Sequence, residues 1–305
     1  MNYFKRIYTI LELRTAITAA LCALVGSMFG AYINDSVNIL LMVLIVLASY
    51  FGNLIANVAN EIGGYYSGED TNQTIDDHHG NNGIVRGIVS LKEAYFVLIV
   101  IVGITGFLGM SIVFITKDIF ILFAGILAAI VAIFYSLGPL PFFKFPIGEF
   151  LSGVFCGGIT CLVGIYIQTG SMEIGYVIFA TIMVINVSFL MAVNNTSDYN
   201  KDLETRITLP HVIGFVNSIK LIKYELILVI LLWIGLLLLG YLNFIIYLIG
   251  MFIIIFFGFI KFYLPYSKIK QPYKQMKGIW IFYPLKYNLT FCIVLSFVFF
   301  IFLMI

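Results

Sequence analysis

Nine apolar runs constrain this chain more than any other feature of its sequence, because each can cross a membrane as a helix. A bilayer core about 30 Å thick needs about 20 apolar residues, and the polar backbone groups of each crossing must be satisfied within a helix. The runs are residues 15–33, 38–59, 93–116, 119–136, 150–168, 174–194, 222–240, 243–263 and 288–305. With 62% hydrophobic residues, a soluble domain could not cover its own surface. The chain is therefore predicted to be an all-α, polytopic membrane protein, with residues 1–305 forming a single transmembrane domain.

The basic residues predict the orientation of these spans. If the N-terminus is cytoplasmic, every Lys and Arg except Lys117 lies on the inner side, as the positive-inside rule expects. Nine crossings then place the C-terminus outside the cell membrane. We expect the first run to be retained as a span, because it is long and has no clear small-residue cleavage site followed by a soluble domain.

The first polar cluster lies at the inner end of the second run. Asn57, Asn60, Glu61 and Gly64 fall at i, i+3, i+4 and i+7, which places them on one face of a helix. Glycines and the acidic pair Glu69-Asp70 follow. Acidic groups at the edge of a membrane are costly and usually bind an ion or a polar ligand. An ordinary helix end followed by a solvated loop is the alternative.

The second polar cluster lies at the inner end of the sixth run. Asp198 and Asp202 follow Asn194 by four and eight positions, with Asn195 beside it. Helical spacing puts the carboxylates near one face, one turn apart. Such a pair suits Mg²⁺, which takes few protein carboxylates and completes its octahedron with water and phosphate oxygens. The alternative is that both aspartates merely face water at a helix end.

Other polar features have ordinary interpretations. Residues 76–79, two aspartates followed by two histidines, lie in a Gly- and Asn-rich stretch and are expected to form a solvated loop. The basic, aromatic stretch 263–286 suits anionic lipid headgroups better than nucleic acid. The four cysteines lie inside apolar runs, where they are expected to pack between helices.

Seven stretches occur in the order found in one family of membrane enzymes. They are Leu13-Arg14-Thr15, Asn57-Val58-Ala59-Asn60-Glu61, Gly68-Glu69-Asp70-Thr71, the segment 83–90 around Arg86, the segment 135–141 with Gly148-Glu149, the segment 164–170, and Asn194-Asn195 with Asp198 and Asp202 followed by Thr208-Leu209-Pro210. Together they resemble the UbiA superfamily of intramembrane prenyltransferases, and within it the 1,4-dihydroxy-2-naphthoate polyprenyltransferases of menaquinone biosynthesis. The chain departs from the family at Gly64, where an acidic residue is usual, and at Ser197, where many members of that branch carry arginine.

The resemblance implies nine helices around a central cavity, covered on the cytoplasmic side by cap loops. The two acidic clusters would face each other across the cavity mouth and hold Mg²⁺ against the diphosphate of an isoprenyl donor, whose prenyl group would pass to an aromatic acceptor, 1,4-dihydroxy-2-naphthoate. The implied metal ligands are Asn60, Glu61, Asp70, Asp198 and Asp202. The implied catalytic residues are Asp198, Asp202, Glu61 and Tyr135. Contacts to the diphosphate and the cavity are assigned to Arg86, Lys144, Lys201, Arg206, Asn57, Asn194 and Asn195.

Other functions remain open from the sequence. The acceptor could be a hydroxybenzoate, a glyceryl phosphate lipid, or a haem or chlorophyll precursor. The departure at Gly64 also allows a catalytically silent relative that binds lipid. A secondary transporter would place its polar residues at mid-membrane, whereas here they cluster at one face. The expected partners are the donor, the acceptor and the lipid bilayer, with no nucleic acid and an oligomeric state that the sequence leaves undetermined.

Overall fold

The computed structural model describes residues 3–68, 82–138, 141–203, 206–273 and 276–305, and none of these residues forms a β-strand. In chain order the helices are α1 (Tyr3–Leu11), α2 (Leu13–Ile33), α3 (Ile39–Ser67), α4 (Leu91–Thr116), α5 (Ile119–Phe134), α6 (Gly148–Thr169), α7 (Ile174–Ser197), α8 (Tyr199–Asp202), α9 (Leu209–Ile213), α10 (Phe215–Leu238), α11 (Phe244–Tyr266) and α12 (Met276–Met304). Within the described residues, eight of them are long and apolar enough to cross a membrane. The prediction of an all-α, multi-pass membrane protein is confirmed.

The fourth predicted crossing, residues 119–136, corresponds to α5, which is not among these eight helices. This helix is apolar but has only 16 residues, which gives a rise of about 24 Å against a hydrocarbon core of about 30 Å. The count of nine spans therefore stays a prediction. The seventh run was placed too late, because α10 begins at Phe215 rather than at 222. Its first turns carry Lys220 and Lys223, whose charges interrupt the apolar pattern but not the helix.

Side-chain caps start several helices. The Oδ1 atoms of Asn38, Asp118 and Asn243 accept hydrogen bonds from backbone N–H groups in the first turns of α3, α5 and α11. Ser90 begins α4 with a capping box, in which Ser90 and Glu93 each bond the other's backbone N–H. These caps satisfy N–H groups that have no partner inside the helix. Short polar side chains thus fix the residues at which these helices begin.

Helix α2 is the centre of the bundle. In its most apolar stretch 72% is buried, against 17% for α4. Gly26 and Gly30, four residues apart, let the backbone of α2 touch α6: a Cβ at Gly26 would lie 2.3 Å from the carbonyl oxygen of Cys161. Small residues at this spacing commonly mediate close packing of membrane helices. On another side of α2, the rings of Phe29 and Phe299 lie 5.4 Å apart and join it to α12.

Candidate metal and diphosphate site

The first polar cluster lies near the C-terminal end of α3, which continues past it to Ser67. Glu61 is buried, and its Oε1 accepts a hydrogen bond of 2.7 Å from the backbone N–H of Asn82. This contact joins the end of α3 to the segment 82–90, which carries the half-buried Arg86. The predicted carboxylate and the predicted diphosphate-binding arginine are therefore on adjoining parts of the chain. Asp70 and residues 76–79 lie outside the described residues.

The end of α3 also touches the turn that follows α5. The Oδ1 of Asn60 accepts a hydrogen bond of 3.1 Å from the hydroxyl of Ser136. One turn further along α3, a Cβ at Gly63 would lie 2.3 Å from the carbonyl oxygen of Ser136. A glycine is required at this point because the two backbones are already in contact. Asn60 is exposed at the same place.

Asn57 has a structural contact that its spacing did not indicate. Its Nδ2 donates to the carbonyl oxygens of Leu11 and Glu12, at 2.9 and 3.2 Å, and to the hydroxyl of Thr15 at 2.9 Å. Glu12 has a φ of 45° and forms the break between α1 and α2. The amide of Asn57 thus holds this break against α3.

We expect Asn57→Ala to lower thermal stability in detergent, by about 1–3 kcal/mol, because it removes the part-buried hydrogen bonds from the Asn57 amide to the carbonyl oxygens of Leu11 and Glu12. If the role of Asn57 is this contact, the folded fraction keeps a KM for the donor within roughly twofold of the wild-type value. Thermal unfolding and steady-state kinetics on the same preparation check both statements. A large rise in KM without loss of stability would instead assign Asn57 to the ligand.

The second polar cluster is built on the end of α7 and on α8. The backbone N–H of Asp202 donates to the carbonyl oxygen of Asp198 at 2.9 Å, so the two residues are one turn apart as predicted. Each carboxylate holds a basic side chain: Lys277 Nζ lies 2.6 Å from Asp198 Oδ2, and Arg206 Nη2 lies 2.9 Å from Asp202 Oδ2. The Asp202 side chain is fully buried.

This pair of carboxylates requires positive charge. Burial raises the pKa of Asp202, the neighbouring Asp198 raises it further, and Arg206 and Lys277 oppose the rise. A divalent cation would supply the same charge, so the residues fit a hard metal ion. Within the described part of the chain, no three His, Cys, Asp or Glu side chains form a metal-binding group. Mg²⁺ commonly binds through one or two carboxylates together with substrate phosphates, so two aspartates are sufficient.

A buried glutamate is hydrogen-bonded to the second cluster. Glu149, at the start of α6, is 3% exposed, and its Oε1 accepts a hydrogen bond of 2.7 Å from Asn195 Nδ2. The Oδ1 of Asn195 in turn accepts from Asn194 Nδ2 at 3.3 Å. Because the Nδ2 of Asn195 points to Glu149, its Oδ1 faces the amide of Asn194. Asn194 and Asn195 are therefore held as one unit.

The connection between α5 and α6, residues 135–149, contacts both clusters. Ser136 bonds Asn60 of the first, and Glu149 bonds Asn195 of the second. The guanidinium of Arg206 also lies 5.7 Å from the ring centre of Phe143. The two clusters are thus joined through one segment, and whether their carboxylates share a metal ion stays a prediction.

The remaining predicted residues lie around this segment. Tyr135 is half-buried, with its hydroxyl against Gly148. Lys144 and Lys201 have exposed side chains, whereas Arg206 is mostly buried. The guanidinium of Arg206 forms the ion pair with Asp202 of the second cluster.

Three residues around the site were missed as site candidates. Lys277 was counted only as one inner-side cation, and Glu149 only as part of a motif. Glu225 lies inside α10, and its buried Oε2 has no hydrogen-bond partner among the residues that the structure describes. An acidic residue within an apolar span is itself a signal of a functional position, and this rule would have selected Glu225.

The fold and the polar clusters agree with one protein family. Residues 19–283 match the model of the UbiA prenyltransferase family, so the chain belongs to that family. A 1,4-dihydroxy-2-naphthoate octaprenyltransferase of Haemophilus influenzae is 30% identical over 183 residues, 58% of this chain and 58% of that protein. A protein of the same name from Bacillus subtilis is 25% identical over 188 residues, 61% and 59% of the two chains. The chain thus spans less than two thirds of the length of the curated relatives it matches.

Solved structures share the fold along nearly the whole chain. A UbiA homologue from Archaeoglobus fulgidus bound to DMAPP and Mg²⁺ gives a TM-score of 0.67 at 17% identity, covering 95% of this chain and 98% of that one. A structure described as digeranylgeranylglyceryl phosphate synthase gives 0.63 at 18% identity, covering 100% and 98%. At these identities the likeness establishes the fold.

Proposed function

We propose that this protein transfers an isoprenyl group from an isoprenyl diphosphate to an aromatic acceptor, 1,4-dihydroxy-2-naphthoate, with Mg²⁺ as its cofactor. Its single UbiA-type domain would lie in the cell membrane, with a cytoplasmic N-terminus and an external C-terminus. The observation that carries the proposal is the pair Asp198 and Asp202, whose carboxylates each hold a basic side chain at the end of an apolar helix.

The relatives support both substrates. The curated relatives are named as 1,4-dihydroxy-2-naphthoate octaprenyltransferases, which favours the aromatic acceptor over a lipid phosphate. The Archaeoglobus fulgidus homologue is bound to DMAPP and Mg²⁺ in one structure and to GPP and Mg²⁺ in another. The donor class and the metal are carried over from that family member to this chain.

The reaction breaks the allylic C–O bond, with its electron pair leaving on the diphosphate, and forms a C–C bond to the aromatic ring. The group on the attacked ring carbon, a proton or the carboxylate as CO2, then leaves with its bonding electrons returned to the ring, which restores aromaticity. Mg²⁺, when bound, neutralises charge that builds on the departing diphosphate. Asp198 and Asp202 would hold it, together with Asn60, Glu61 and Asp70 from the first cluster. Arg86 and Arg206 can each bind two phosphate oxygens through a planar guanidinium.

Other residues would position the reacting groups. Lys144 and Lys201 would attract the diphosphate as exposed cations, and Asn194 and Asn195 would donate or accept at its edge. Tyr135 would offer its ring face to the positive charge that develops on the prenyl carbon. A tyrosine phenol is neutral at physiological pH, so Tyr135 would not capture that carbon as a phenolate.

The test is a direct assay of prenyl transfer. Purified protein in detergent receives Mg²⁺, a radiolabelled isoprenyl diphosphate and one acceptor at a time: 1,4-dihydroxy-2-naphthoate, a hydroxybenzoate or a glyceryl phosphate lipid. We expect a lipophilic product with the naphthoate alone, and no product when EDTA removes the metal. Product with another acceptor would overturn the naphthoate assignment. Uptake of the labelled donor into vesicles without any product would favour transport instead.

A further inference from the structure

The basic group on Asp198 comes from a distant part of the chain. Lys277 lies at the start of α12, 79 positions from Asp198, and its Nζ donates to Asp198 Oδ2 at 2.6 Å. The Lys277 side chain is 36% exposed, and that of Asp198 is 11% exposed. The start of the last span thus supplies a cation directly to the second cluster.

The charges around Lys277 come from three segments. Asp198 at the end of α7 and Glu12 between α1 and α2 attract its ammonium group, and Arg206 repels it. Arg206 already holds Asp202, so each aspartate of the second cluster has its own basic side chain. A metal ion that binds Asp198 must therefore compete with Lys277.

We propose that Lys277 is a diphosphate-binding residue that leaves Asp198 for the donor when metal and donor bind together. This inference rests on the proposed function, and it adds a residue from the start of α12 to that site. The diphosphate brings the negative charge that Lys277 loses when the metal takes Asp198. A lysine suits this exchange because its compact ammonium group sits on a flexible stem with three rotatable donors.

Arg206 is not suited to the same exchange. Its side chain is 13% exposed and lies over the ring of Phe143, 5.7 Å from the ring centre. The more exposed Lys277 can move toward a ligand at lower cost. Metal alone must break the ion pair without compensation, whereas metal with diphosphate gives Lys277 a new partner. The two ligands are therefore expected to bind with positive cooperativity, each raising the affinity for the other.

The experiment measures binding rather than turnover. Mn²⁺ is titrated by EPR into wild-type protein, Lys277→Ala and Lys277→Met, first alone and then with inorganic pyrophosphate. Without pyrophosphate, both variants should bind Mn²⁺ more tightly, by about three- to tenfold, because Asp198 is released from its partner. With Mn²⁺ present, both should bind pyrophosphate more weakly by about tenfold, because they lack the ammonium donor. Changes of opposite sign are the signature of the exchange.

Two further variants complete the test. Lys270→Ala removes an exposed lysine from the connection just before α12 and should leave both affinities unchanged. Lys277→Arg keeps the charge and should restore most of the pyrophosphate affinity. Unchanged Mn²⁺ affinity in Lys277→Ala and Lys277→Met, or weaker binding of both ligands, would overturn the role of Lys277 while leaving the proposed function in place. Wild-type protein that binds neither Mn²⁺ nor pyrophosphate would overturn both.

Discussion

Replacing Asp198 with asparagine is expected to reduce kcat/KM for prenyl transfer by at least about a hundredfold. In the proposed site the Asp198 carboxylate would hold the metal ion that stabilises the departing diphosphate. Asparagine has nearly the same shape and can still accept a hydrogen bond from Lys277. The loss should therefore fall on metal and donor binding rather than on folding. Higher Mg²⁺ concentrations should restore only part of the activity.

The matched control is Asp35→Asn. Asp35 lies in the turn after α2 with a φ of 48°, a conformation that asparagine tolerates well. Both variants exchange one carboxylate for an amide, and only one of them lies in the proposed site. Activity of Asp198→Asn within about twofold of the Asp35→Asn value, at limiting Mg²⁺, would remove the second cluster from the mechanism.

Gly26→Val is expected to have the largest effect on folding. The added Cβ would lie 2.3 Å from the carbonyl oxygen of Cys161 and 2.9 Å from its Cα, and backbone atoms cannot move aside as a side chain does. Separation of α2 from α6 should cost about 3 kcal/mol and sharply lower the yield of folded protein. Size-exclusion chromatography and thermal unfolding in detergent measure this loss.

Gly103→Val is the matched control for this substitution. Gly103 lies in α4, and a Cβ there would meet no heavy atom within 4 Å. The two variants share the same change in side chain and in helix propensity, so their difference reports the contact between α2 and α6. Equal thermal midpoints for the two variants would mean that this contact contributes little to stability.

The sequence was sufficient to predict the second cluster. Asp198 and Asp202 lie within a few residues of each other, and helical geometry alone places them one turn apart. The basic partners of these two carboxylates differ in how far along the chain they lie. Arg206 is local, but Lys277 is brought to Asp198 only by tertiary packing. A pattern within one segment cannot identify a partner that the fold supplies from another.

Asn57 illustrates a second limit. Its spacing with Asn60 and Glu61 correctly predicted a shared helix, and Glu61 and Asn60 do contact the neighbouring loops. The same spacing could not reveal that the amide of Asn57 would bind the carbonyls of Leu11 and Glu12. Helical periodicity tells which residues share a face, whereas the neighbour of that face is decided by the rest of the fold.

The packing of α2 against α12 has a consequence for biogenesis. Helix α2 is synthesised early and α12 late, yet Phe29 of one and Phe299 of the other are in contact. Until α12 leaves the ribosome, one flank of the central helix has only lipid or chaperones as neighbours. Assembly of the membrane domain at this contact must therefore wait until α12 has been synthesised, and a nascent chain that stalls before α12 would expose the uncovered face of α2 to membrane quality-control proteases.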